Sequence, residues 1–188
     1  MTEISKISSL EQVKKHLTAE CYNKLFIGGQ FVDPIDGQKM PTHYPATGEI
    51  FHELPKGNAN DIGSAIRAAE AAWSDGAWAN MPASARGDLV ARMAQGIEEN
   101  IEVLAAIEAA DVGKPFRQAA MVLGGAASEG KYWASLGAVL DAEQDKPVNS
   151  GGGMGGLPPA EWDVVYRQDP IGIVGLISAW NYPLNVAF

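Results

Sequence analysis

The stretch Pro170–Phe188, which reads PIGIVGLISAWNYPLNVAF, decides how the rest of the chain is interpreted. Its first part, Ile171–Ser178, is rich in Ile, Val and Leu, which is typical of a strand buried on both faces. Asn181 and Pro183 follow, and an Asn just before X-Pro indicates a turn and a helix start. The stretch therefore predicts a strand, a tight turn and a helix. In open α/β sheets such a turn lies at the carboxyl edge of the sheet, where ligands bind.

The composition excludes several classes of protein. With 188 residues, 46% of them hydrophobic, the chain can bury a sizeable core. Its net charge of -9 disfavours nucleic-acid binding and binding to an anionic membrane surface. A single cysteine, Cys21, excludes an internal disulfide and a multi-cysteine zinc site, and it suits a reducing compartment, so we expect a cytoplasmic protein. Prolines, asparagines and glycines interrupt the uncharged terminal run, so we expect no membrane span.

The first 55 residues predict a small β layer after a short lead-in. Residues 1–24 indicate a tail or a loose helix. Two apolar runs within Leu25–Val32 flank Gly28-Gly29, which favours a hairpin because glycine supplies the positive φ that two-residue turns need. Met40–Tyr44 and Glu49–Leu54, separated by Pro-Ala-Thr-Gly, can form a second pair of strands.

Helical spacing of apolar residues begins at about Asp61. Asn58 or Asn60 can cap this first helix. Pro82 indicates the start of a second helix, because proline is favoured at the first helical position. The apolar residues after Asn100 either continue the second helix or belong to a third.

A longer helix is predicted over about Arg117–Leu140. The preceding Gly113-Lys114-Pro115 carries the usual glycine and proline stop signals. One stripe of the helix is apolar, comprising Val122, Ala126, Trp133, Leu136 and Leu140. Glu129 interrupts the stripe, so its carboxylate is expected to be paired or at the edge.

The segment Ser150–Pro159, SGGGMGGLPP, has two interpretations. Its glycines favour a flexible connection ended by proline. A phosphate-binding loop would need a strand before it and a helix start after it, and neither flank fits. We therefore predict a mobile connection, followed by a strand over Trp162–Gln168.

Several motifs, in order along the chain, give it a family resemblance. They are the hairpin Leu25–Val32, the turn Tyr44–Glu49, the Asp-x-Gly-Lys-Pro run Asp111–Pro115, the run Pro170–Val174, and the Trp-Asn-x-Pro turn within Ile177–Leu184. The chain resembles the N-terminal part of the aldehyde dehydrogenase superfamily, NAD(P)-dependent enzymes that oxidise aldehydes to acids. Tyr44 replaces the family's usual Asn, and Ala179 replaces the commoner Pro, as in betaine-aldehyde-type members.

The resemblance implies an α/β fold with a Rossmann-like NAD-binding domain. The N-terminal β layer and helices of that domain would occupy residues 25–144. Residues 145–169 would form a glycine-rich connection and the start of an oligomerisation arm, so a homodimer or homotetramer is expected for the full-length protein. Residues 170–188 would be the first strand and turn of the Rossmann-like core.

The same resemblance assigns roles in the turn. Asn181 would be the oxyanion-hole residue, whose amide stabilises negative charge on the aldehyde oxygen after thiolate attack. Ser178, Ala179, Trp180 and Asn181 would line the NAD (or NADP) site, mainly through backbone groups. From the residues alone, Asn181 is read as a helix cap or turn residue, and only the full motif favours the oxyanion role. Core packing is the alternative for Trp180.

A monovalent cation is bound by some family members near the positions that match Thr42, His43 and Asp111. These residues are weaker candidates than those of the turn. A single histidine is not a metal site, and Asp111 also fits a carboxylate at a helix end or turn. We therefore predict no further metal site.

The family's nucleophilic cysteine and general-base glutamate have no counterpart among these residues, because both would follow the segment that ends at Phe188. Cys21 precedes the resemblance and is expected to be a spare thiol. The chain is thus expected to be an N-terminal fragment of an enzyme that oxidises a small-molecule aldehyde, and to be inactive alone. The alternative is a non-catalytic binding or assembly module derived from the same fold.

Overall fold

The computed structural model describes residues 7, 9–142, 146–147, 165–166 and 169–187. Within these residues a short helix comes first, followed by four strands and then by four helices; two short strands and a last helix follow. In chain order they are α1 (Leu10–His16), a 3-10 turn (Glu20–Tyr22), β1 (Leu25–Ile27), β2 (Gln30–Val32), β3 (Lys39–His43), β4 (Ile50–Pro55), α2 (Ala59–Asp75), α3 (Ala83–Glu99), α4 (Ile101–Val112), α5 (Phe116–Ala142), β5 (Lys146–Pro147), β6 (Val165–Tyr166) and α6 (Pro183–Ala187).

The β layer consists of two antiparallel hairpins, as predicted. In the first, β1 pairs with β2 around Gly28 and Gly29, whose φ angles of 59° and 77° are those a two-residue turn requires. In the second, β3 pairs with β4 and a bulge separates Thr42 from His43. Two glycines in tandem therefore fix the first turn, as the sequence indicates.

Local signals set the helix boundaries. Asn58 caps α2 and forms a capping box with Asp61, confirming one of the two predicted caps. α4 is a separate helix after Asn100, and Gly113 ends it in the left-handed conformation. Within the described residues, no helix combines the length and apolar character that crossing a membrane would need.

The N-terminal helix α1 is packed rather than loose. A capping box between Ser9 and Gln12 starts it. Val13 and Leu17 are buried in a cluster with Phe51 of β4 and alanines of α4. The helix therefore joins the β layer to the helical layer.

Glycines allow α3 and α5 to approach closely. A Cβ atom placed on Gly87 would lie 2.3 Å from the Ala134 carbonyl oxygen, and one placed on Gly137 would lie 2.3 Å from the Ala83 carbonyl oxygen. Such distances are far inside van der Waals contact, so only glycine fits at either position.

This close approach corrects the predicted apolar stripe of α5. Of the predicted stripe, Ala126 is buried, Val122 and Leu136 are half-buried, and Trp133 and Leu140 are exposed. The rest of the buried face consists of Ala119, Leu123, Ala127, Gly130 and Gly137. Small residues predominate on this face because the backbone of α3 comes too close at Gly137 for a side chain.

The predicted strand over Ile171–Ser178 is not formed. This part of the chain has no regular secondary structure, and Ile171 and Ile177 are 93% and 98% exposed. A strand needs a hydrogen-bonded neighbour, and none of the described residues pairs with this segment. The predicted turn and helix do follow, and Leu184 of α6 packs against the core cluster of Ile97 and Leu123.

Two other predicted segments fall largely outside the described residues. Ser150–Pro159 lies wholly outside them, and so does most of the expected oligomerisation arm over 145–169. Within that range the described pairs Lys146–Pro147 and Val165–Tyr166 are antiparallel partners, and the second lies within the strand predicted over Trp162–Gln168. The predicted domain limits remain predictions.

Candidate functional site

Asn181 lies in the turn between the exposed run and α6. Its side chain is exposed and makes no hydrogen bond with any described residue. The first turn of α6 closes through the Val186 N–H, which donates to the Tyr182 carbonyl at 3.0 Å. Asn181 is therefore a turn residue, but the predicted side-chain cap is absent from the described contacts. Its amide is available to a ligand.

Lys114 anchors this turn through contacts with Asn181 and Tyr182. Its ammonium donates to the Asn181 carbonyl oxygen at 2.9 Å and lies 4.0 Å from the centre of the Tyr182 ring. It also pairs with the Glu108 carboxylate. The Lys114 and Glu108 side chains are only 7% and 3% exposed. Three favourable partners thus converge on one buried ammonium group.

The end of α4 explains why Lys114 reaches these partners. Gly113 adopts a φ of 76°, which turns the chain away from the helix axis. Directly after Lys114, the Pro115 carbonyl accepts hydrogen bonds from Gln118 and Ala119 at the start of α5. Lys114 is consequently held in a short link between two helices, beside the carboxylate six residues earlier.

α6 is fixed on its other side by α5. Leu184 packs against the core cluster that includes Ala119 and Leu123. The Asn185 side-chain amide lies 3.4 Å from the Glu129 carboxylate, so the interrupting Glu129 of the predicted stripe is at an exposed edge and paired. The turn that carries Asn181 is held from two directions.

The predicted cofactor residues Ser178, Ala179 and Trp180 are consecutive and exposed. The Trp180 side chain is 78% exposed, so core packing, the alternative interpretation, is not observed. No backbone–backbone hydrogen bond joins residues 171–180 to another described residue. Peptide groups and an indole face are therefore open to a ligand beside Asn181.

The cation candidates are only partly brought together. The Thr42 hydroxyl donates to the Asp111 carboxylate at 2.5 Å, linking β3 to the last turn of α4. His43 is exposed and contacts neither group by a hydrogen bond in the described part of the chain. Among the described residues, no group of three or more His, Cys, Asp or Glu side chains is arranged to hold a metal ion.

A cavity of about 820 Å³ lies next to these candidates, none of which is among its lining residues. It is bounded by α1, the turn after β3, α4 and the start of α5, and its polar lining includes Glu102, Lys114 and Arg117. Lys114 borders this cavity, but Asn181 and the predicted cofactor residues do not line it. The predicted site is therefore an open surface in the described structure.

Sequence reasoning assigned no role to Glu108, Lys114 or Tyr182. One available signal is the isolated carboxylate Glu108 in the alanine-rich run of α4, because a charge on a buried helix face requires a partner. A lysine just past the glycine stop was the nearest cation. Lys114 and Asn181 are 67 residues apart, so a local sequence pattern could not predict their contact.

Known proteins match this chain over most of its length. The aldehyde dehydrogenase family matches residues 31–188. Aminoaldehyde dehydrogenase 2 of Zea mays is 35% identical over 166 residues, which cover 87% of this chain and 31% of that protein. The mitochondrial benzaldehyde dehydrogenase of Antirrhinum majus is 36% identical over 180 residues, which cover 94% and 31% of the two chains.

Solved structures agree with this match. A double mutant of betaine aldehyde dehydrogenase from Staphylococcus aureus, in complex with NAD+, is 27% identical with a TM-score of 0.78, covering 93% of this chain and 32% of that chain. A mutant aldehyde dehydrogenase from Bacillus cereus is 29% identical with a TM-score of 0.80, covering 97% and 35% of the two chains.

The chain spans about a third of the length of these relatives. The family match runs from within β2 through β3, β4 and the helices, and it includes the turn that carries Asn181. The predicted α/β fold class and the predicted resemblance are confirmed. The chain belongs to the aldehyde dehydrogenase family.

Proposed function

We propose that the protein oxidises a small-molecule aldehyde to a carboxylic acid, with NAD+ or NADP+ as the electron acceptor. In this proposal the chain supplies one wall of the active site. The observation that carries it is the Asn181 side-chain amide, exposed and without a hydrogen-bond partner among the described residues, on a turn anchored by the buried Lys114.

The chemistry expected of Asn181 is electrostatic. When a thiolate attacks an aldehyde, negative charge develops on the carbonyl oxygen. An amide N–H held in a fixed direction stabilises that charge, and removing one such donor typically costs about a hundred- to a thousandfold in rate. An unpaired amide on a turn anchored by Lys114 fits this role because no partner has to be displaced before the reaction.

The residues before Asn181 fit a dinucleotide. NAD(P)+ would accept the hydride that leaves the aldehyde carbon, and water would supply the oxygen of the acid. Ser178, Ala179 and Trp180 present free peptide groups and an exposed indole, and the run 170–187 contains no carboxylate to repel pyrophosphate. The Staphylococcus aureus relative is in complex with NAD+. These residues would hold the cofactor mainly through backbone groups.

The nucleophile is not expected to be Cys21. This cysteine is exposed in the 3-10 turn and precedes the residues matched by the family. We infer that the 188 residues alone form no NADH from aldehyde. Turnover that disappears in Cys21→Ser would contradict this inference.

Several finer properties also stand as proposals. The names of the plant relatives make an amino- or ammonium-bearing aldehyde the first substrate class to test. A monovalent cation beside the Thr42–Asp111 pair and a homo-oligomeric assembly are carried forward from the resemblance. The compartment is proposed to be cytoplasmic on the strength of a single unpaired cysteine, while relatives include proteins named as peroxisomal and chloroplastic.

The test is Asn181→Ala, measured as aldehyde-dependent NADH formation by the protein that carries the complete activity. We expect kcat/KM to fall by about a hundred- to a thousandfold. Asn60→Ala, at an exposed asparagine of α2, is the matched control and should leave the rate unchanged. An Asn181 variant with the parental rate would overturn the role of Asn181, and a parental protein that forms no NADH from aldehyde would favour the non-catalytic binding or assembly module.

A further inference from the structure

We propose that Lys114 is a positioning residue for Asn181, and that Glu108 holds Lys114 in place for this task. The proposal rests on the proposed aldehyde oxidation, because it concerns the position from which the Asn181 side chain reaches the substrate. Lys114 itself is not placed against the substrate. It acts through the backbone of the turn.

The contacts of Lys114 restrict the turn at the peptide bond between Asn181 and Tyr182. The Lys114 ammonium holds the Asn181 carbonyl oxygen at 2.9 Å and the Tyr182 ring at 4.0 Å. The carbonyl and the ring lie on the two residues joined by one peptide bond, which is planar. Fixing both therefore restricts the orientation of this peptide plane and the position of the Asn181 Cα atom, which lies in the plane. The Asn181 side chain then starts from a restricted position.

The charge pattern shows that Lys114 is pre-organised. A lysine side chain is ordinarily a mobile, strongly hydrated point charge. Here it is 7% exposed and paired with a carboxylate that is 3% exposed. The second Glu108 oxygen, Oε2, is buried and has no hydrogen-bond partner among the described residues. One oxygen of the Glu108 carboxylate thus binds the Lys114 ammonium, and the other has no partner in the described part of the chain.

Such a pair is better suited to fixing geometry than to adding stability. Taking both charges out of water costs several kcal/mol per ion, and well-packed apolar residues in their place are often neutral or stabilising. α6 is already attached to α5 through Leu184. A merely structural role would therefore be visible only in the free energy of unfolding, whereas a positioning role changes the turn and the rate.

The variants separate these two roles. Lys114→Met keeps the length of the stem but removes every donor, and it leaves Glu108 buried without a cation. The double variant Lys114→Met/Glu108→Leu also removes that stranded charge, so it keeps the interior neutral and is expected to fold. Lys114→Arg keeps the charge and the donors. Lys131→Met is the control, because Lys131 pairs with Glu98 at 2.6 Å on the surface.

The first measurement is amide hydrogen exchange of residues 180–187 in the 188-residue chain. We expect exchange about tenfold faster or more in the double variant, because a hydrogen bond to a charged group is lost. Exchange in Lys114→Arg should be close to the parental rate. Exchange in the control Lys131→Met should equal the parental rate. Parental exchange in the double variant would overturn the proposal.

The second measurement is steady-state aldehyde oxidation by the protein that carries the complete activity. We expect kcat to fall about tenfold in the double variant with the KM for NAD(P)+ little changed, and to recover partly in Lys114→Arg. A parental kcat in the double variant overturns the positioning role, while loss of activity in Asn181→Ala still supports the proposed function. If the parental protein oxidises no aldehyde, the proposed function fails and hydrogen exchange alone decides whether Lys114 orders the turn.

Discussion

The buried faces of α3 and α5 consist mostly of alanine and glycine, whereas the run Pro170–Trp180 carries large apolar residues and leaves them exposed. Gly87 and Gly137 let the two helices approach until a single added Cβ atom would collide with backbone. Ile177, by contrast, is 98% exposed. Burial here depends on whether a complementary surface is present in the chain, and less on how apolar each side chain is.

The sharpest test of this contrast makes the same kind of truncation in both regions. Leu123→Ala removes a fully buried side chain of α5 and should lower the free energy of unfolding by about 2 to 5 kcal/mol. Ile177→Ala should change it by less than about 0.5 kcal/mol, because no packing is lost. Urea unfolding followed by circular dichroism measures both. Equal losses would mean that the exposed run is buried in solution.

The glycine contact is expected to give the next largest effect. Gly137→Ala forces a methyl group against the Ala83 carbonyl and should lower the free energy of unfolding by about 1 to 3 kcal/mol. Gly125→Ala, in the same helix with open space around it, should instead raise that free energy by about 0.5 to 1 kcal/mol. The same urea titration compares the pair. A neutral Gly137→Ala would show that α3 and α5 are further apart.

Asp141 gives a smaller effect that depends on pH. Hydrogen bonds from the Ser84 side chain, then from the Ser84 and Ala83 backbone, lower the pKa of Asp141. A lowered folded-state pKa stabilises the fold at neutral pH, and that contribution is lost as the pH falls through the folded-state pKa. Asp141→Asn should therefore be less stable than the parent at pH 7, and the difference should shrink in acid. Urea midpoints of the parent and of Asp141→Asn, measured from pH 7 into acid, check the prediction. A difference between the two midpoints that does not change with pH would contradict it.

The smallest effect on stability is expected from Ile177→Lys. The free energy of unfolding should stay within about 0.5 kcal/mol of the parent, because the side chain is already in water. The charge should nevertheless reduce aggregation, since exposed apolar chain is a template for association. Light scattering at matched concentrations measures this, with Lys131→Met as a surface control. If Ile177→Lys scatters as much light as the parent, the exposed run does not cause the aggregation.

Local features of the fold were predictable from the sequence. The Gly28-Gly29 turn, the Asn58 cap and the Gly113 stop each depend on residues within a few positions, so pattern alone identifies them. The buried face of α5 was not predictable, because Gly137 faces a helix that begins more than fifty residues earlier. The prediction of a strand over Ile171–Ser178 was wrong for a similar reason, because a strand forms only when another part of the chain pairs with it.

The candidate site divides in the same way. Asn181 and Ser178–Trp180 were identified from one contiguous motif, and their roles stay predictions. Lys114 belongs to the Asp-x-Gly-Lys-Pro motif, but the motif does not indicate its contact with Asn181, which lies 67 residues later in the chain. A long-range contact of a single charged side chain leaves no local motif in the sequence, whereas a turn or a helix cap does.

The start of α3 has a consequence for the order in which the chain folds. Pro82 provides no side-chain hydrogen bond to the first turn, and the carboxylate that satisfies the Ala83 and Ser84 N–H groups arrives with Asp141, 58 residues later for Ala83. During synthesis, α3 leaves the ribosome with its first turn incomplete. Docking of the last turn of α5 completes it, so the two helices are expected to gain protection in one step.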